Sequence, residues 1–392
     1  MMTKRVLKTV LPIVLSCAMM LNSTGVYARG IYANPVAVND DPAEYSELVS
    51  ANASEDAEEL SISETDFAFN PTATAYLGSL TISGGVYDTD FTYDKEKDII
   101  TIKTNTPMTL TDSYAIYSDP HKTSLIIDSP DGANITLNTV HIYAYVDELT
   151  DENVENGTAA TLPEGRAGIE IKGGTGKVII NVQNKGTHED YLNCIYGGKD
   201  RAGIEKNEDH TGELIIQGSG RLHVNGGWSD PETKQGAAAI GSSHGHSTSN
   251  ITLNAGRIGC STTSDYTKYY GGFTNNYGSA IGAGTGGTAN NIVIAGGYVN
   301  CESSFGAAIG AGHGSKGESS ITIKGGEVRA TAWPPAKFRG DIYKDESNEP
   351  AGAPAFGVHF NDIENASCDI TIEDGDIQAI PYFGSAFSCG DK

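Results

Sequence analysis

The sequence predicts an all-β fold: a single-stranded right-handed parallel β-helix, a solenoid with loop insertions. Three observations predict it. Short β-patterned triplets recur behind an Ala-Ile-Gly motif. Glycines follow the triplets at matching places. No repeat unit carries a helical pattern of useful length. Self-similarity of this kind marks a repeat architecture, in which each unit buries its apolar residues only against its neighbours.

The segments before the repeat have other work. The chain opens with Lys4, Arg5 and Lys8, continues as an apolar run from Val10 to Leu21, and reaches Val26-Tyr27-Ala28. A basic start, a short apolar stretch and a small-x-small site make residues 1–28 a secretory signal peptide, cleaved after Ala28. The run is too short for a permanent transmembrane helix. A lipoprotein anchor at Cys17 is the competing reading, and "VLSC" fits it poorly. Residues 29–73 are expected to form an acidic disordered stalk. No Lys or Arg occurs from Ile31 to Asp94, while Asp40, Asp41, Glu44, Glu47 and the run Glu55–Glu59 crowd it with negative charge. Such a segment repels itself and has little apolar surface to bury. The solenoid is expected over residues 74–392. It starts a new coil at Phe387 and then stops, so it is read as ending raggedly or as truncated at the C-terminus.

The net charge of −24 argues against nucleic acid as a partner, which needs clustered Lys and Arg. Beyond Cys17 the cysteines are Cys194, Cys260, Cys301, Cys368 and Cys389. They are widely spaced and contain no Cys-x-x-Cys pair, unlike a disulfide-rich miniature or a zinc module.

The repeat can be followed from its marker isoleucine. It stands at Ile240, Ile281 and Ile309, with weaker versions at Ile169 and Ile204. Phe360 and Phe387 are expected to fill the place in "FGVHF" and "FGSAF". The triplets begin at Val178, Leu214, Ile251, Ile292, Ile321 and Ile370. Gly218, Gly256, Gly296, Gly325 and Gly375 then supply corners, where positive φ is tolerated. A second strand follows, as "RLHV", "RIGC", "YVNC", "EVRA" or "DIQA". One unit therefore reads strand, corner, strand, variable loop, strand, with a tight period of about 28 residues. Stacked coils would pair their backbones at about 4.7–4.9 Å. Gly282-x-Gly284-x-x-Gly287 matches the spacing of a dinucleotide loop, but "TANNIVIAGGYVNC" behind it is strand. Without a helix there is no N-terminal dipole to hold a pyrophosphate, so no nucleotide is expected.

The signature "GAAIGxGxG … ITIxGGxVxA" resembles the repeats of secreted and surface proteins of Gram-positive gut and soil bacteria. It is similar to carbohydrate-binding parallel β-helix proteins allied in fold to pectate lyases. The resemblance covers Gly236 to Ala379 well. From Thr74 to Gln235 it is carried only by "LTISGGVY" and "ANITLNTVHI". It implies a solenoid and carbohydrate binding, and it specifies architecture more than activity.

Strand parity assigns faces. Ile258, Cys260, Val299 and Cys301 should point inward. Cys260 and Cys301 then share a slot in successive coils, where a stack of buried thiols is favoured and a disulfide is the alternative. Arg221, Arg257, Tyr298, Glu327 and Asp376 should form one outward row, and His223, Gly259, Asn300, Arg329 and Gln378 a second. Such a face could hold an extended polysaccharide or simply be solvated. Three insertions leave after the same strand and should project from one edge. They carry Trp228; then Tyr266, Tyr269, Tyr270, Phe273 and Tyr277; then Trp333, Phe338 and Tyr343. Rings on raised loops can stack on sugars or anchor a partner, or fold back as cover. The expected ligand contacts are Trp228, Tyr266, Tyr269, Tyr270, Phe273, Trp333 and Tyr343, together with Arg257, Tyr298 and Arg329.

No catalytic residue is assigned, since no nucleophile-elbow motif is present. His244 and His313 are read as corner-loop decoration. Calcium is the one cofactor that the acidic groups at Asp88–Asp98, Asp147–Glu152 and Glu373–Asp376 would suit, though none matches a calcium-loop pattern and solvated surface is favoured. The expected function is a noncatalytic secreted or cell-surface binding protein, with polysaccharide or glycoprotein as partner. One alternative is an adhesin for host mucin or immunoglobulin. The other is a calcium-dependent polysaccharide lyase or glycosidase, which would draw on Arg257, Arg329, Glu327 and Asp376.

Overall fold

The computed structural model describes residues 74–112, 122–144, 165–184, 192–227, 235–262, 277–333, 353–359, 366–382 and 384–389. They belong to one compact unit, Glu64–Lys392. Among them every regular element is a β-strand. The strands form a broad sheet and a narrow one, and most pairs are parallel. The architecture is all-β and solenoid-like.

One coil shows the plan. The short strand Ile281–Gly282 lies in the narrow sheet, and Ala289–Ser303 lies in the broad sheet. The next coil returns through Ile309–Gly310 to Gly317–Ile323 and Glu327–Ala332. In the narrow sheet Ile169, Ile204, Ile240, Ile281 and Ile309 pair one above another. In the broad sheet Val178, Leu214, Ile251, Ile292, Ile321 and Ile370 do the same. The narrow-sheet stack and the first five broad-sheet members are buried, and Ile370 packs against them. Full burial of each such side chain contributes about 1.5–3 kcal/mol. The alternation of apolar and polar residues thus becomes one continuous core between the two sheets.

Two details differ from the expectation. The marker after Ile309 is Phe356, which pairs with Ile309 and then with Phe387. Phe360 lies outside the described residues. The reason is the residue behind the marker. Gly357 has φ +112°, and a Cβ there would lie 1.9 Å from the Ser388 carbonyl oxygen. The motif is therefore an apolar residue followed by glycine, which Phe356-Gly357 satisfies. The second difference concerns the corners. Leu214–Asn225, Thr248–Ser261 and Ala289–Ser303 run unbroken through their glycines. The register slips there, between Gly218 and Arg221 and around Asn254. A bulge bends one continuous strand, where a break between two had been expected. Separate strands occur in the last coils, between Ile323 and Glu327 and between Ile372 and Asp376, and in an early one, between Asn138 and His141.

The start of the stack is antiparallel. Thr74–Leu77 pairs with Leu80–Ser83, which pairs with Met108–Asp112, and Phe91–Asp94 pairs with Ile99–Ile102. Parallel pairing begins beyond them. Asp90 is buried here and accepts hydrogen bonds from the Thr104 and Thr106 hydroxyls and the Val86 N–H. Asp98 accepts from the Tyr93 and Thr123 hydroxyls. Within the acidic group at Asp88–Asp98, these two carboxylates fasten hairpins.

Candidate ligand-binding face

The second half of the broad sheet places the outward side chains in rows. Arg221, Arg257, Tyr298, Glu327 and Asp376 are paired in that order. So are His223, Gly259, Asn300, Arg329 and Gln378. Between the rows and beneath them, Leu222, Ile258, Val299 and Val328 are buried. Parity along these strands therefore presents one face to the exterior and leaves the core dry. An open depression of about 240 Å³ sits across three coils of this face, lined by Leu192, Arg221, Leu222, His223, Arg257, Ile258, Gly259, Tyr298 and Asn300. Gly259 makes room for it, because a side chain there would stand in the row between His223 and Asn300.

The arginines and rings interact. The Arg257 guanidinium lies 4.9 Å from the centre of the Tyr298 ring, a cation–π contact that holds both planes in place. Arg329 is exposed. Trp333 is half-buried. Its Nε1–H donates to Glu302 Oε2 at 3.0 Å, and its ring stacks on Tyr382 at 4.7 Å. Tyr382 is 51% exposed, so the pair presents an aromatic surface beside the rows.

Of the sequence-predicted contacts, Arg257, Tyr298 and Arg329 stand on this one face, and Trp333 at its edge. Trp228, Tyr266, Tyr269, Tyr270, Phe273, Phe338 and Tyr343 lie outside the described residues. The strands from which their insertions leave end side by side. Asn225 pairs with Ser261, Ser261 with Glu302, and Ser303 with Ala332. Tyr277, at the end of the second insertion, is buried and stacks on Phe305 at 4.2 Å. It also meets His313 edge-on, and His313 packs against His359. Burial, aided by His313, pushes the His359 pKa down to about 3, which keeps that imidazole neutral. This histidine cluster is internal packing.

Sequence reasoning missed the other end of the face. The His223 row continues through Cys194 to His141, and a parallel row runs from Asn225 through Tyr196 to Tyr143. Tyr143 and Tyr196 stack at 4.7 Å, and Tyr196 leans toward His223 at 5.7 Å. His141 Nδ1 lies 3.0 Å from Asp112 Oδ2, with both side chains buried. A signal was available: "HIY" and "CIY" are the same strand in successive coils. Burial pushes the Cys194 thiol up to about 12, so it is not an activated nucleophile.

Glu327 and Asp376 are neighbours one coil apart, in the same row as Arg257. Among the described residues, no three His, Cys, Asp or Glu side chains converge on a metal-sized site. Asp147, Asp151 and Glu152 lie outside the described residues, while Glu373, Asp374 and Asp376 are exposed. No family model, curated protein or solved structure matches this chain.

Proposed function

We propose that this is a secreted or cell-surface binding protein, noncatalytic, that holds an extended polysaccharide along the outward rows of a right-handed parallel β-helix. The handedness follows the strong rule for crossovers between parallel strands of one sheet. The basic, apolar and small-x-small opening of the chain supports export. The observation that carries the binding reading is the shared face. Arg257, Tyr298 and Asn300 line one depression, Arg329 stands in the next coil, and the Trp333–Tyr382 pair flanks them. Aromatic planes stack on sugar rings, and asparagine and arginine supply directional hydrogen bonds. Three arginines on this face of a chain carrying −24 suit acidic groups on the glycan. The insertions carrying Trp228, Tyr266, Tyr269, Tyr270, Phe273 and Tyr343 leave beside it and would extend the contact.

The test is a glycan and host-protein array with the wild type beside Tyr298→Ala, Arg257→Ala and Trp333→Ala. Retention of a polysaccharide without turnover is expected, weakened at least tenfold by Tyr298→Ala, about 1.4 kcal/mol. Unchanged binding in all three variants would remove the face from the reading. Host-protein capture that survives deglycosylation would favour the adhesin. A second reading rests on Glu327 and Asp376 standing beside Arg257 and Arg329: a calcium-dependent lyase would use those carboxylates around the metal and an arginine as base. Unsaturated product from a uronic acid polymer, abolished by a chelator, would favour it.

A further inference from the structure

We propose that Cys368 and Cys389 form a disulfide that fastens the last described coil to the one before it. Both are thiols in this structure. Phe387 pairs with Phe356 and Ser388 with Gly357, so Cys389 falls in register with Val358. Val358 and Ala311 below it belong to the core, which makes the Cys389 slot an inward one. Cys368 also faces inward. It pairs with Ser319 and is 1% exposed. The two backbones are joined directly, the Cys368 N–H donating to the Cys389 carbonyl at 2.8 Å. Residues so bonded have Cα atoms within the disulfide range of about 4.4–6.8 Å. The thiols also feel each other. Burial, and then the neighbouring Cys389, push the Cys368 pKa up to about 12. Cys368 is therefore the slow, resolving thiol, attacking only from beside an already formed mixed disulfide, and the exposed Cys389 reacts first.

Access separates this pair from the other. Cys260 and Cys301 share an inward slot but are both enclosed, at 2% and 0% exposed. Cys389 is exposed and can meet a reagent. The step is thiol–disulfide exchange with a small-molecule disulfide, oxidised glutathione in the test. The Cys389 thiolate attacks one sulfur of the reagent, and one glutathione thiol leaves. Cys368 loses its proton and attacks the Cys389 sulfur of the mixed disulfide, expelling the second. Two protein thiols are oxidised by two electrons, the reagent is reduced to two thiols, and the two protons pass to the leaving thiolates.

The full folded chain would be incubated in oxidised glutathione, and free thiols blocked with an alkylating agent after denaturation. It would then be cut by an endoproteinase acting at Asp369, Glu373, Asp374 or Asp376, between the two cysteines. The expected result is a linked Cys368–Cys389 peptide, with Cys194, Cys260 and Cys301 alkylated. Thermal unfolding should shift upward by several degrees on oxidation, and Cys389→Ser should lose that shift. Alkylation of both Cys368 and Cys389 would overturn the proposal. So would Cys389 linked to a second chain, or left as a mixed disulfide beside a free Cys368.

Discussion

At single positions the fold is held by where a side chain cannot go. Gly282 has φ +133°, and a Cβ there would sit 1.9 Å from the Gly310 carbonyl oxygen of the next coil. Gly286 also has positive φ, +83°, yet nothing lies within 4 Å of its Cβ site. Gly282→Ala should therefore lose about 3 kcal/mol or more, from strain and from parting two coils. Gly286→Ala should lose only about 1–2 kcal/mol, the cost of a left-handed backbone alone. Urea unfolding of the two variants checks this, and equal losses would mean that coil contact is not what fixes the glycine. The same reasoning explains why the "GxGxxG" spacing misleads. A Cβ added at Gly282, Gly284 or Gly287 would lie 2.2 Å or less from a carbonyl oxygen of a neighbouring coil. They are packed against other coils, with no space for a phosphate.

At the scale of one coil, the marker and the triplet are the structural unit, and both were readable. Their isoleucines recur because the same inward slot must be filled at each rung. The outward rows were readable for the same reason: parity converts a known inward residue into its neighbour's direction. What was not readable follows from irregular spacing. The marker in "FGVHF" is hard to place from sequence because only three residues separate its two phenylalanines, and only the glycine behind the first distinguishes them. Tyr143 and Tyr196 were missed because their coils lack the glycine signature, and Tyr382 because its strand ends in Pro381. A bent strand and a broken one look alike in sequence, because glycine permits both. A coil's contribution should depend on cover from both sides. Phe356 is fully buried between Ile309 and Phe387, while Phe387 is 43% exposed. Phe356→Ala should cost about 3–5 kcal/mol, and Phe387→Ala well under half of that. Denaturant midpoints would show it, and comparable losses would place further packing over Phe387.

Across the whole stack, stability should be graded, because each coil gains only from its neighbours. The strands Leu214–Asn225, Thr248–Ser261 and Ala289–Ser303 have 12, 14 and 15 residues and are paired on both sides. At one end, antiparallel hairpins cover the core, and Leu80, Ile82 and Ile100 are buried. At the other, Ala366–Ile372 leaves Ile372 45% exposed. Opening should therefore begin from the last described coil and move inward. Native-state hydrogen exchange should find Ala366–Pro381 the least protected strands and Ile251–Ile294 the most. Uniform protection throughout would mean that the stack opens as one cooperative body and that nearest-neighbour coupling is the wrong description. The gradient bears on the binding face as well. Arg221, Arg257 and Tyr298 stand on the three long strands, so the depression is built on the part of the molecule expected to open last. Trp333 and Tyr382 stand nearer the fraying end. A ligand spanning both should slow exchange in Asp376–Pro381 more than in Thr248–Ser261, because it lends the outer coil a contact that the inner one already has.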